Sequence, residues 1–522
     1  MRKASILIFT LIFSTWSLQA QNENRNPQNT PLRKLQLAEF AISNLYVDKV
    51  DENKLVEDAI RGMLEKLDPH SAYSNPEEVK RMNEPLQGNF EGIGVQFNMV
   101  EDTLFIIQPV SGGPSEKAGI LAGDRIVTVN DTAIAGVKMS REEIMRRLRG
   151  PKDTHVKLGI SRRGFKDLLT FDVIRDKIPL HTLDASYLIR KGIGYVRISS
   201  FGATTSQEFT DAVKKLKKQG MKDLILDLQG NGGGYLNAAV EIANQFLEPD
   251  ELIVYTEGLR SPRREFKAEG SGLLRKGRLV VLIDEYSASA AEIVSGAIQD
   301  WDRGFVVGRR SFGKGLVQRP LDLPDGSMIR LTVARYYTPA GRCIQKPYDD
   351  KKKYKEELLE RFNKGELIHA DSIHFPDSLK YQTRKERRIV YGGGGIMPDY
   401  FIPLDTTRYN KYHRDLAAKG CIINTSLRYI ETNKATIEKQ YKNFETYEKE
   451  FEVTDELLQM LVESGKKAGV AYDDSLYLEA VPTLKLQLKA LLARDLWQMN
   501  EYYRIMNEAD ESVLKAIELL AR

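Results

Sequence analysis

Two unbroken apolar runs constrain this chain more than any other feature: Leu224-Ile225-Leu226, which leads into Asp227-Leu228, and Leu279-Val280-Val281-Leu282-Ile283. A strand with one wet face alternates apolar and polar residues. A strand that does not alternate is buried on both faces, as in a parallel sheet covered by helices. Each run leads through a turn of small residues to a helical pattern, at 236–246 and 290–301. Residues 193–198 read as another strand. Thr205-Ser206-Gln207-Glu208 has capping-box spacing and opens a helix through Leu216. Residues 190–345 are therefore expected to form a layered α/β domain.

The chain has 522 residues, too many for one core, so several domains are expected. Its N-terminus has a basic start at Arg2-Lys3, an apolar stretch over 6–16 and a small residue at Ala20. That order predicts a signal peptide (1–20) cleaved after Ala20, with an uncleaved anchor as the alternative. The apolar stretch is short for a bilayer span, and no cysteine lies beside it for lipid attachment. Residues 21–87 read as a linker and an N-terminal helical region. Residues 88–175 read as a small β-rich module: Val95-Gln96-Phe97 and residues 104–107, 125–129 and 156–160 are strand candidates. Within it, residues 140–148 are a helix candidate with Ser140 as N-cap and Glu143 completing a capping box. The α/β domain extends over 176–405. It contains Lys351-Lys352-Lys353 and Arg384-Lys385-Glu386-Arg387-Arg388, which mark 349–388 as a solvated, charged insertion. Residues 406–522 read as mostly helical.

The net charge of +4 gives no electrostatic support for a nucleic-acid role. Cys343 and Cys421 are the two cysteines. An exported protein would be able to join them, but nothing in the sequence brings them together. The six histidines are scattered and no metal-ligand spacing occurs, so neither a metal nor any cofactor is expected.

The chemistry-bearing block is Ser287-Ala288-Ser289-Ala290-Ala291-Glu292, where a buried strand ends and a helix begins. A serine at such a junction is exposed, and the amide after it can face a developing oxyanion. Equally, both serines would serve as helix caps. A serine nucleophile needs a base, and Ser311-Phe312-Gly313-Lys314-Gly315 offers a lysine on tight backbone. In a dry pocket its pKa would fall and a neutral amine would become available; on the surface it would be an ordinary solvated lysine. Gln318 would orient the amine. The turn Asp227-Leu228-Gln229-Gly230-Asn231-Gly232-Gly233-Gly234 would supply further amides, although it lacks the order of either nucleotide-binding glycine motif.

Taken in order, these residues resemble the carboxyl-terminal processing peptidases, the tail-specific proteases. Leu67-Asp68-Pro69-His70-Ser71, the turn at 227–234, Phe312-Gly313-Lys314-Gly315 with Gln318, Arg335-Tyr336-Tyr337-Thr338-Pro339 with Gly341-Arg342, and Pro398-Asp399 follow that family's signatures over roughly 35–405. The resemblance implies an α/β fold: a crotonase/ClpP-like peptidase core with an inserted PDZ domain at 88–175 and helical N- and C-terminal regions. It implies Ser289 as nucleophile, Lys314 as general base and Gln318 as its partner. Ala290 and Gly233 would be the oxyanion donors, and Glu292 would be a helix-side structural carboxylate without a proton-transfer role. Gly92-Ile93-Gly94-Val95 resembles a peptide-carboxylate loop, beside which a substrate tail would add as a strand.

The expected function is serine endopeptidase cleavage of exported proteins near their C-termini. The competing readings are a non-catalytic tail-binding scaffold and an acyl-CoA-handling enzyme on a related core. Expected partners are protein or peptide tails and no nucleic acid, with 406–522 as a homo-oligomer or adaptor surface, and the expected location is periplasmic. Three departures from the family stand out: Gln229 for arginine, Gly232 for proline and Cys343 for serine.

Overall fold

The computed structural model describes residues 30–100 and 102–521; the expected signal peptide lies outside them. The chain divides into two compact units at Leu67/Asp68. In the first, helices Pro31–Leu45 and Glu52–Glu65 begin at Thr30 and Asp51, whose side chains accept the amides of Arg33 and Lys54. Among the described residues, no helix is long and apolar enough to cross a membrane.

The second unit is organised by a six-stranded sheet. Its order is Leu183–Arg190, Ile193–Ile198, Asp223–Asp227, Leu279–Ile283, Phe305–Gly308, Tyr400–Phe401, parallel except for the first pair. Alternate side chains explain the unbroken runs. Leu279, Val281 and Ile283 pack under helices Thr205–Lys218, Leu236–Asn244 and Ala290–Asp300. Val280 and Leu282 face the other way, onto Val513, Ala516 and Leu520 of the closing helix Glu511–Ala521. The tail thus supplies the second cover that the sheet requires.

One expected cap is replaced. The helix starting at Thr205 has Thr204 as N-cap, without a side-chain cap bond. The Glu208 carboxylate instead accepts the amides of Thr182 and Leu183, fastening the helix to the neighbouring strand.

A second sheet contains the long hairpin Leu316–Asp322/Met328–Tyr337, flanked by Ala72–Ser74 and Leu252–Gly258. Strands between Val95 and Ile174 form a separate sheet closed by the helix Arg141–Leu148, with Leu104, Ile106, Ile126, Leu158 and Ile160 inside. Ser140 caps that helix as expected, but Glu143 pairs with Arg146 and Arg147 rather than completing a capping box.

The charged segment 349–388 is not merely solvated. Helix Lys351–Asn363 buries Tyr354 and Arg361. Arg361 donates to the carbonyls of Arg310 (2.6 Å) and Ser311 (3.2 Å). Its charge pattern is that of a clamp whose cations turn inward onto backbone oxygens. Helices from Lys411–Ala418 to Met499–Met506 form their own apolar cluster. That cluster touches the 92–174 module through the Arg125–Glu431 ion pair at 2.8 Å. Cys343 and Cys421 are free thiols.

Candidate active site

The parallel sheet brings its strand ends, and the turns that follow them, to one edge, where ligands of such sheets bind. Ser289 follows the strand Leu279–Ile283 and immediately precedes the helix Ala290–Asp300. Its backbone has φ 56° and ψ −111°, a conformation that costs a non-glycine residue about 1–3 kcal/mol. Such strain survives only where the surroundings hold it, and here they do. Ser287 is different: it is fully buried, and its hydroxyl donates to the Leu228 carbonyl and accepts the Asp284 amide. Of the two serines, only Ser289 lines the cavity described below.

Glu292 holds the strained turn. Its fully buried carboxylate accepts the Ser289 amide (2.8 Å), the Lys314 amide (2.9 Å), the Gly313 amide (2.7 Å) and the Ser311 hydroxyl (2.6 Å). The buried Tyr336 hydroxyl lies within hydrogen-bond reach of the carbonyls of both Ser289 and Lys314. One carboxylate and one phenol therefore bridge the serine turn and the lysine loop, amide to amide and carbonyl to carbonyl. Burial pushes the Glu292 pKa up to about 7 against the lowering effect of its donors.

Lys314 is half-buried. Burial lowers its pKa below the ordinary lysine value, with a further lowering from the Arg330 charge; Glu292 and Asp68 oppose this. Its ammonium donates to Gln318 Oε1 at 3.2 Å. Ser289, Lys314 and Gln318 line one cavity of about 490 Å³, together with Met82, Leu86, Ile293, Leu316 and Met328. The expected trio is thus assembled around one space. No hydrogen bond joins Ser289 Oγ to Lys314 Nζ among the described residues: the amine faces its glutamine.

The glycine turn also reaches the cavity. A side chain at Gly233 would meet Ser289 Cβ at 2.7 Å and the Ala290 amide at 3.0 Å, so only glycine permits this approach. The Gly233 amide, however, is turned inward and donates to Asn231 Oδ1 at 2.8 Å. Of the two expected oxyanion donors, Gly233 is therefore engaged within its own turn. Ala290, in the first turn of its helix, lies where an amide lacks an intrahelical acceptor. Gly232 has open space around its Cβ direction.

Two features escaped the sequence reading, and a third was read only in part. Glu292 was expected as a helix-side structural carboxylate, but its partners in the lysine loop were not. Asn231 carried no signal beyond a turn residue, yet it is fully buried and fixes both the Gly233 amide and, through Nδ2, the Ile198 carbonyl. His70 meets Tyr354 of the charged segment at 2.6 Å, a contact spanning 284 residues. Burial first, then the charge of Lys314, lowers the His70 pKa to about 4.

In the β-rich module, Ile93, Gly94 and Val95 line a groove of about 330 Å³ between the strand Val95–Val100 and the helix Arg141–Leu148. Gly94 has φ 71°. Gly92 lies outside the groove lining and pairs with Asp176. The exposed strand edge and the apolar floor of Phe97, Ile107 and Met145 suit an added peptide strand.

Comparison with known proteins agrees with this layout. Residues 192–350 match peptidase family S41, and residues 92–174 match the PDZ domain. Residues 11–78 match the N-terminal domain of the activating protease CtpB, and 412–498 match a family of unknown function. The chain is 38% identical to the carboxy-terminal processing protease CtpA of Bacillus subtilis over 314 residues, covering 60% of this chain and 66% of that protein. It is 35% identical to CtpB of the same organism over 337 residues (64% and 69%). It is also 35% identical to a carboxy-terminal-processing protease of Bartonella bacilliformis over 345 residues (64% and 77%).

Proposed function

This chain belongs to the carboxyl-terminal processing serine peptidases of family S41, and from that premise we propose that it cleaves exported proteins near their C-termini with Ser289 and Lys314 as its catalytic pair. The observation that carries the reading is the double bridge. Glu292 and Tyr336 fasten the strained serine turn and the lysine loop to each other across one cavity.

In this mechanism neutral Lys314 Nζ takes the Ser289 Oγ proton as the oxygen adds to the substrate carbonyl carbon. The Ala290 amide, at the positive end of its helix, stabilises the oxyanion. Lys314 then hands its proton to the leaving amine, giving an acyl-enzyme and releasing the C-terminal fragment. Water attacks the ester, Lys314 takes its proton, and that proton returns to Ser289 Oγ. Burial keeps a fraction of the amine neutral, and Gln318 Oε1 orients it.

The geometry fits a resting arrangement of this site. Lys314 Nζ points to Gln318, and the Gly233 amide points to Asn231. Assembly would need a swing of the lysine side chain toward Ser289 and, if the turn supplies a second oxyanion donor, a rotation that frees the Gly233 amide. The PDZ groove would receive the substrate tail. The expected signal peptide ending at Ala20 supports an exported location.

The test is degradation of an unfolded protein by the wild type, Ser289→Ala and Lys314→Ala. Each substitution is expected to lower kcat by about 10³-fold or more. Full activity in either variant would overturn the pair.

A further inference from the structure

We propose that Arg330 forms a carboxylate-binding subsite in the catalytic cavity, about two to three residues along an extended substrate from the scissile bond. The inference rests on the peptidase reading above and adds a substrate preference to it.

Arg330 differs from the other inward-facing arginines in having no oxygen acceptor among the described residues. Arg197 is paired with Asp227, Arg309 with Glu285, Arg310 with Glu366 and Arg342 with Asp300, while Arg175 and Arg303 donate to backbone carbonyls. Arg330 has no carboxylate partner among the described residues. Its Nη1 meets only the Met82 thioether, at 3.1 Å, and its buried Nε has no acceptor. A thioether is a weak acceptor. A partly desolvated guanidinium without an anion is costly, and a ligand carboxylate would complete it through the guanidinium's planar fork.

Strand register puts this cation in the cleft. In the hairpin, Gln318 lies opposite Thr332 and Pro320 opposite Arg330. Residues paired across a ladder, and residues two apart on a strand, share a face. Gln318, Pro320, Met328 and Arg330 therefore look into the same cavity as Ser289 and Lys314. Arg330 is the diagonal neighbour of Gln318, roughly 7 Å further along the wall. Gln318 itself contacts Lys314 Nζ. An extended peptide advances about 3.3 Å per residue, so a group held by Arg330 sits about two to three residues from the reacting carbonyl. Beside Lys314, Arg330 also disfavours a basic residue at that position. The carboxylate is either an Asp or Glu side chain or the substrate's own C-terminus.

The experiment digests β-casein, an unfolded substrate, with the wild type, Arg330→Gln, Arg330→Lys and Ser289→Ala, and maps the cuts by mass spectrometry. Synthetic peptides spanning the favoured cut then differ in one feature each: Glu against Gln at the enriched position, or a free against an amidated C-terminus. The internal Glu/Gln pair separates this subsite from the tail-binding groove. The expected result is a preference of about tenfold in kcat/KM for one acidic member, carried mainly on KM. Arg330→Gln should abolish it and Arg330→Lys should retain part of it. Which pair shows the preference identifies the source of the carboxylate. Wild-type cleavage without any acidic preference, or a preference unchanged in Arg330→Gln, overturns the subsite while leaving the peptidase reading intact. No cleavage beyond the Ser289→Ala background overturns both.

Discussion

The serine–lysine side of the site and the glycine turn opposite it are both loops that leave buried parallel strands, yet they are held in opposite ways. On the serine–lysine side, four donors from two loops converge on Glu292, and a strained backbone at Ser289 is fixed in place. On the turn, the Gly233 amide is satisfied by Asn231 of the same turn. The first is pinned from outside itself; the second is closed on itself. The difference teaches that the proposed nucleophile and base are carried on one rigid support, while a second oxyanion donor, if the turn provides one, would still have to be freed.

The sharpest way to break this contrast is to remove the support. Glu292→Gln leaves two of the four donors facing an amide NH₂ instead of an acceptor. We expect kcat to fall about 10²-fold or more, and stability by about 2–4 kcal/mol. Steady-state kinetics and denaturant melts check both. Near-normal kcat would show that the pinned side does not depend on its carboxylate. A smaller effect is expected from Arg361→Met, which frees the carbonyls of Arg310 and Ser311 and loosens the lysine loop. A fall of about tenfold in kcat at nearly unchanged KM is the predicted signature. A change in KM alone would assign the charged segment to substrate binding.

The contrast is also visible in what could be read from the sequence. The sheet was legible because its strands are unbroken apolar runs; residues 193–198 and 279–283 were located as observed. Ser289, Lys314 and Gln318 were legible as a motif order, and the structure brings all three to one cavity. Glu292 was legible as a helix-side structural carboxylate. Its second set of partners lies in the lysine loop, and no local rule reports a contact that the tertiary fold creates. The same holds for Arg361 and Tyr354, whose charged segment looks solvated because pairing with backbone oxygens leaves no trace in composition. The expected box at Thr205 failed because Glu208 found backbone amides on a neighbouring strand. The closing helix was legible only as part of a helical tail; that Val513, Ala516 and Leu520 cover the sheet is again a tertiary contact.

The remaining predictions sharpen the comparison. If Lys314 is the base it acts only when neutral, so kcat/KM is predicted to rise with pH through its pKa. Burial, then Arg330, brings that pKa below the ordinary lysine value. Arg330→Gln should therefore move the acidic limb to higher pH, with Glu292 and Asp68 pulling in that same direction; an unmoved limb would mean another group titrates. The smallest effect concerns the turn. Gly232 has no positive φ and open space at its Cβ direction, so Gly232→Pro is expected to fit. It should stiffen the turn by about 0.4–1 kcal/mol, read as a melting-temperature rise of about 1–4 °C. A fall in melting temperature would show that the turn needs glycine's freedom.

The most direct measurement of the central claim is the rate at which a serine-directed fluorophosphonate modifies the wild type and Lys314→Ala, followed by intact mass and peptide mapping. A single adduct on Ser289 is predicted, forming faster as pH rises and about 10²-fold more slowly without Lys314. An adduct on another residue, or an unchanged rate in Lys314→Ala, would contradict the pairing of Ser289 with Lys314.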